Sequence, residues 1–278
     1  MNNWSAPGIA EGWKQTSAER NRYLAAATDA MFAQARVAPG MRVLELGTGA
    51  GDVAIMAAER VGARGSVIAT DLSEQMVSAA AASVREAGAT NVTIRQMDAE
   101  AIDLPEASFD AALARMVLMF VGDLRGTFAG VARVLVPGGR FAGTIWSALA
   151  KNPYHATILD VARESGTTLD ASTELVRAFT LSDGSALVEA ARAAGWADVD
   201  LIVVPCERRV ASIAEQIDAQ RKWPLVAKLF AHLDDAAKGR AWAEIERRWR
   251  KFELPDGGAA FPAEVLVFAA TRGKSMIS

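Results

Sequence analysis

The sequence predicts an α/β fold: a seven-stranded, mostly parallel sheet with helices on both faces and a helical cap. Three observations carry this. Between residues 42 and 146 short apolar runs alternate with helical stretches of about ten residues or more, a rhythm that demands crossover connections between parallel strands. The first apolar run ends in GTGAG, residues 47–51, with glycine at every second position. After residue 147 the alternation gives way to longer helical stretches.

The elements follow in order. Residues 17–36 read as one helix, with Leu24, Ala27, Met31 and Ala35 on a stripe and APG at 38–40 as the break. RVLEL (42–46) is a buried strand, followed by a helix over 52–61. SVIATDL (66–72) is the second strand, and 73–88 is a helix with Ser73 as N-cap and Gly88 as its stop. The third strand is NVTIRQM (91–97), and SFDAALARM (108–116) contains the fourth. Residues 123–140 are expected to be helical up to Pro-Gly-Gly, with the strand RFAGTIW (140–146) next. Residues 147–182 are loop and helix, 182–205 helix then strand, 207–262 mainly helical, and 263–272 a final strand. The expected organisation is an N-terminal helical lid (1–40), a Rossmann-like core (41–206 with 263–278), and helical cap insertions (147–182 and 207–262).

Composition narrows the function. A chain of 278 residues with 51% apolar content can bury one large core, or a core with a smaller cap. Thirty basic residues against 33 acidic ones, with no long basic block, argue against nucleic acid. The single cysteine, Cys206, excludes an internal disulfide or a Cys-rich metal cluster and suits a reducing compartment, so no metal and a cytoplasmic location are expected. The N-terminus lacks the character of a secretory signal, and no apolar run is long enough for a membrane span.

The glycine turn is the most informative feature. A dinucleotide fingerprint counted from Gly47 would need glycine where Asp52 stands. The pattern is instead acid-x-G-x-G-x-G: Glu45, Gly47, Gly49, Gly51, with Thr48 inside the turn. Glu45 and Asp52 flank the helix N-terminus and oppose a pyrophosphate there. A nucleoside bearing an amino acid, with an ammonium and a sulfonium, suits it better.

These residues resemble the class I S-adenosylmethionine-dependent methyltransferases, in particular the branch of the ubiquinone/menaquinone biosynthesis C-methyltransferases. The resemblance is close over 41–146 and looser to 205. LELGTGAG matches the first motif, whose turn lies against the methionine part of the cofactor. ATDLS implies that Asp71 binds both ribose hydroxyls, with Leu72 beside the adenine. MDAE puts Asp98 near the adenine amino group and Ala99 against the ring. FDAALARMVLMFV implies that Arg115 and Met116 border cofactor and acceptor, and VLVPGGRF matches the turn into the fifth strand. The implied activity is methyl transfer from S-adenosylmethionine to a lipophilic or aromatic small molecule, at carbon, oxygen or nitrogen. A non-catalytic binder of the same nucleoside and a nicotinamide-dependent oxidoreductase are the alternatives.

Acceptor-site candidates come from the residues around that core. A general base would serve a phenol, enol or ring-carbon acceptor, and His155, just past the fifth strand, is the catalytic candidate ahead of His232, Tyr154 and Tyr23. Trp242, Ile245, Trp249 and Phe252 recur at helical spacing on an otherwise charged stretch, and with Trp223 and Phe230 could wall a lipophilic pocket. Residues 12–24 are a candidate lid reaching the methionine carboxylate through Arg20 or Tyr23. A large apolar insertion leaves room for self-association, with a homodimer as the expectation.

Overall fold

The computed structural model describes residues 8–273; the ends of the expected lid and core, 1–7 and 274–278, lie outside the described residues. The helix α1 (Ile9–Gln15) comes first, and the expected helix 17–36 is two, α2 (Ser17–Tyr23) and α3 (Ala25–Gln34). Backbone bonds of the i to i−4 type meet at both joints: Thr16 donates to Gly12 and accepts from Arg20, and Leu24 donates to Arg20 and accepts from Thr28, so the three helices follow one another without a loop. At Thr16 the side-chain hydroxyl donates to the Gly12 carbonyl at 2.9 Å, a local bond that competes with the helix and bends it.

The parallel part of the sheet holds β1 (Arg42–Leu46), β2 (Ser66–Asp71), β3 (Val92–Gln96), β4 (Phe109–Arg115) and β5 (Leu135–Trp146). β6 (Trp196–Val210) and β7 (Ala259–Arg272) complete the order β3-β2-β1-β4-β5-β7-β6, with β7 antiparallel to both neighbours. β1 reads as a continuous apolar run because helices cover both its faces: Val43, Leu44 and Leu46 have no exposure. It pairs with β2 on one side and β4 on the other, so the winding reverses at β1 and opens a crevice at the carboxyl ends of β1 and β4.

Between the strands run α4 (Asp52–Val61), α5 (Glu74–Glu86) and α6 (Leu124–Val134). Ser73 does cap α5, its hydroxyl accepting from the Met76 N–H. α6 departs from expectation, stopping at Val134, with β5 following at once and Pro137-Gly138-Gly139 inside its first turnless stretch. Pro137 forces Val136 out of helical backbone, so the helix must end upstream of it. The extra residues are absorbed as a slip in the β4–β5 register between Phe109 and Ala111.

The hairpin of β6 and β7 is longer than the sequence suggested, taking 207–210 and 259–262 from the expected helical insertion. Phe261, fully buried, and Arg208 pair across it. α7 (Pro153–Glu164), α8 (Glu174–Arg177) and α9 (Ser185–Ala193) follow β5, while α10 (Ile213–Lys222), α11 (Pro224–Ala227) and α12 (Asp235–Trp249) fill the loop between β6 and β7. α7, α10, α11, α12 and the outer end of β7 enclose a second apolar cluster around Ile158, Ile217, Trp249 and Phe261, separate from the sheet core around Leu44, Phe128, Phe141 and Phe268. Among the described residues no helix is long and apolar enough to cross a membrane.

Candidate active site

The turn from β1 to α4 is built on positive backbone angles: φ is +63° at Gly47, +57° at Gly49 and +91° at Gly51. A side chain at Gly47 would also overlap Val117, and a Cβ at Gly49 would stand 2.8 Å from Trp13 Nε1. Glycine is therefore required here both for conformation and for close approach. Trp13, carried by α1, lies directly on the turn.

Acidic groups surround it. Glu45, at the end of β1, is buried and accepts from the Thr48 hydroxyl at 2.8 Å. Burial, opposed by that bond and by Arg115, pushes its pKa up to about 8. Asp71, ending β2, accepts from the Gly49 N–H at 2.9 Å and the Ser73 N–H at 3.0 Å, while burial holds its carboxyl above the usual range. Asp98 follows β3 and accepts from the Glu100 N–H at 2.9 Å. With Leu72, Met97 and Ala99, these carboxylates line one end of a cavity of about 560 Å³, a size within the ~300–1,000 Å³ of small-molecule sites.

Asp52 does not join them. Its Oδ2 accepts from Arg20 at 2.5 Å and Arg115 at 3.2 Å, and all three side chains are about nine-tenths buried. Arg115 also donates to Asn21 Oδ1 and Thr28 Oγ1, so it ties β4 to the N-terminal helices as well as lining the cavity. Next to it Met116 is held at φ +58°, its N–H donating to the Thr144 carbonyl at 2.9 Å. A non-glycine residue in this conformation is strained, and here it borders the cavity.

The cavity continues beneath α7 and α10, walled by Tyr23, Trp146, Tyr154, His155, Ile158 and Trp223. His155 lies in the first turn of α7, its ring centroid 5.0 Å from Trp146, 5.1 Å from Tyr154 and 5.7 Å from Phe179. Burial, with Arg208 nearby, pushes its pKa down to about 3, so the imidazole is neutral near pH 7. Tyr154 accepts from Gln216 Nε2, and burial raises its hydroxyl to about 12.

Other candidates fall elsewhere. His232 is in contact with the Ser165 carbonyl at 3.2 Å, away from the cavity. Phe230 is 1% exposed and packs on Trp242 in the second apolar cluster, so it does not wall the pocket, and neither do Trp242, Ile245, Trp249 and Phe252. Sequence reasoning missed Glu100, whose carboxylate accepts from the N–H groups of Gly122 and Asp123 at 2.9 Å and steadies the loop after β4. It also missed Arg208 and Glu19, which line the cavity as a pair. The signal for Arg208 was a period of two: Cys206, Arg208 and Val210 are part-buried while Glu207 and Arg209 are exposed.

Comparisons with known proteins agree with this geometry. Residues 43–139 match the methyltransferase domain family. The chain is 30% identical over 238 residues to the nocamycin O-methyltransferase of Saccharothrix syringae, covering 82% of this chain and 77% of that protein. It is 32% identical over 141 residues to the ubiquinone/menaquinone biosynthesis C-methyltransferase UbiE of Shewanella frigidimarina, which spans 50% of this chain and 51% of that one. In fold it resembles the YcgJ protein of Bacillus subtilis, with a TM-score of 0.58 at 20% identity over 90% of this chain and 99% of that chain. With a glycine turn at the reversal of a seven-stranded sheet, carboxylates at successive strand ends and a relative matched over most of both lengths, the chain belongs to the class I S-adenosylmethionine-dependent methyltransferases.

Proposed function

We propose that this enzyme methylates a lipophilic or aromatic small molecule held in the half of the cavity walled by Trp146, Tyr154, His155 and Trp223. The observation that carries the reading is continuity: one cavity runs from the acid-lined strand ends into an aromatic-walled chamber. The two curated relatives described above are named for methylation of organic small molecules, which supports an acceptor of that kind.

S-adenosylmethionine, when bound, supplies a methyl group already activated on a sulfonium. The residues fit it: Asp71 keeps free lone pairs for two ribose hydroxyls, Asp98 can accept from the adenine amino group, and Leu72 and Ala99 offer apolar faces to the ring. Gly47, Thr48 and Gly49 line the cradle for the amino-acid part, Glu45 faces its ammonium, and Arg115 and Met116 border its sulfur end, while Gly51, expected there from the sequence, does not line the cavity and packs against Ala80 of α5. The protein's remaining work is alignment and exclusion of water. His155, neutral in its aromatic box, is a hydrogen-bonding group that orients the acceptor. We place the enzyme in the reducing cytoplasm on the evidence of its single free thiol, Cys206.

Calorimetry with S-adenosylhomocysteine, NAD and NADP tests the cofactor side, with binding of the first on the order of micromolar expected. Transfer of labelled methyl to a panel of aromatic acceptors tests the rest. Tight NAD binding without a nucleoside response would replace the reading with an oxidoreductase, and binding without transfer to any acceptor would favour a regulatory binder.

A further inference from the structure

Arg208 sits at the acceptor end of the cavity with part of its hydrogen-bonding capacity unused. Its guanidinium lies 4.0 Å from the ring centroid of Tyr154 and 5.0 Å from that of Tyr23, and its side chain is 12% exposed. Nε donates to Glu19 Oε1 at 2.7 Å. The two terminal nitrogens, Nη1 and Nη2, have no hydrogen-bond partner among the described residues, although the side chain lines the cavity. Burial works against its charge, but the Glu19 carboxylate beside it and the ring faces of Tyr154 and Tyr23 favour the guanidinium, which stays protonated. A charged, largely desolvated fork with two open donors is suited to an oxyanion, which it can bind through two parallel bonds.

A second observation points the same way. A neutral hydroxyl acceptor must lose a proton during transfer, yet the imidazole in the chamber, His155, has its pKa pushed down to about 3 and is a poor proton sink near neutral pH. Tyr154, raised to about 12, stays protonated. Glu19 is engaged by Arg208 itself. An acceptor that arrives already ionised needs no base.

We infer that the acceptor is an oxygen acid ionised at neutral pH, a carboxylate or a stabilised enolate on a lipophilic or aromatic frame, and that Arg208 receives its oxyanion through Nη1 and Nη2. This rests on the methyltransferase reading above. Both acid types spread their charge over two oxygens, so one can be held by Arg208 while the other attacks. A lone pair of the attacking oxygen forms the bond to the methyl carbon as the carbon–sulfur bond breaks and its electron pair returns to sulfur. The positive sulfonium and negative acceptor become a neutral thioether and a neutral ester or enol ether, and no proton is left over.

The test is calorimetry on protein saturated with S-adenosylhomocysteine, at neutral pH, using two matched probe pairs. The first is 2-naphthoate against 2-naphthamide; the second is 2-hydroxy-1,4-naphthoquinone, ionised under these conditions, against its methyl ether. Native protein should prefer the anion of at least one pair by about tenfold or more, from charge-assisted bonds. Preference in the first pair alone assigns a carboxylate acceptor and in the second alone an enolate. Arg208→Gln should erase the preference while S-adenosylhomocysteine binding by the folded protein stays near native, with some loss of stability from the broken Glu19 pair, and Arg208→Lys should retain part of the preference. Equal binding of anion and neutral partner by native protein would overturn the inference, as would a preference that survives Arg208→Gln or no binding of any probe at millimolar concentration. Native protein that fails to bind S-adenosylhomocysteine would overturn the cofactor reading and this inference together.

Discussion

The backbone N–H of Gly49 donates to Asp71 Oδ2 at 2.9 Å, tying the glycine turn after β1 to the end of β2. Asp71 thus shapes the turn on one side and faces the cavity on the other. Asp71→Ala should weaken S-adenosylhomocysteine binding by about a hundredfold, the loss expected for two hydrogen bonds to a charged acceptor. Asp71→Asn should lose nearly as much, because its amide can present only one oxygen to the turn and the ligand. Calorimetry gives the answer, and native-like affinity in Asp71→Ala would remove this residue from the cofactor site.

Glu45 should make the site release a proton on binding cofactor. Its carboxyl, ordinarily near 4.5, is raised to about 8 by burial, against the pull of Thr48 and Arg115. Between those two values the folded chain holds a proton that the unfolded chain has lost, so this residue's contribution to stability is full below about 4.5 and disappears as pH rises through about 8. A ligand ammonium beside Glu45 favours the carboxylate and expels the proton. Binding heats near neutral pH in buffers of different ionisation enthalpy should differ accordingly, and Glu45→Gln should remove both that difference and the loss of stability between 4.5 and about 8. Identical heats in all buffers would count against an ammonium at this position.

The cofactor half was legible in the sequence because each of its features is local. Three glycines at fixed spacing and acids at successive strand ends depend only on strand register, and parallel strands are set by their own apolar runs. The acceptor half depends on contacts distant in the chain. Arg208 meets Glu19 across 189 positions, and the period of two around residue 208 tells which strand face it shares with Cys206 and Val210 but not which partner it finds there. The helical pattern of Trp242, Ile245 and Trp249 was correctly visible, but periodicity tells which face is buried and not whether that face meets a ligand or another helix. Asp52 misled for a related reason: its local setting at a helix N-terminus suggested an open carboxylate, while Arg20 arrives from 32 positions upstream to occupy it.

That occupation makes Asp52 a structural anchor. Removing it leaves Arg20 and Arg115 buried side by side with no carboxylate between them, a cost of about 3–5 kcal/mol. Arg20→Ala leaves the Arg115–Asp52 pair intact and should cost less than Asp52→Ala. Urea unfolding of the two variants checks the order. A loss in Asp52→Ala below about 1 kcal/mol, the range of exposed pairs, would show that the ions do not act as a buried network.

Trp223 and Phe230, seven residues apart, should separate catalysis from stability. Trp223 lines the cavity and lies 6.2 Å from the ring of Trp13, packed so closely on α1 that a side chain at Gly12 would collide with it. Phe230 is enclosed with Trp242 in the second apolar cluster. Phe230→Ala should therefore cost about 3–5 kcal/mol of stability and leave KM for the acceptor unchanged in the folded fraction. Trp223→Ala should raise the acceptor KM more than the KM for S-adenosylmethionine, with a smaller effect on unfolding because one side of the indole already faces open space. Equal rises in both constants would mean that Trp223 acts through Trp13, which rests on Gly49, and that its effect reaches the cofactor turn by way of α1.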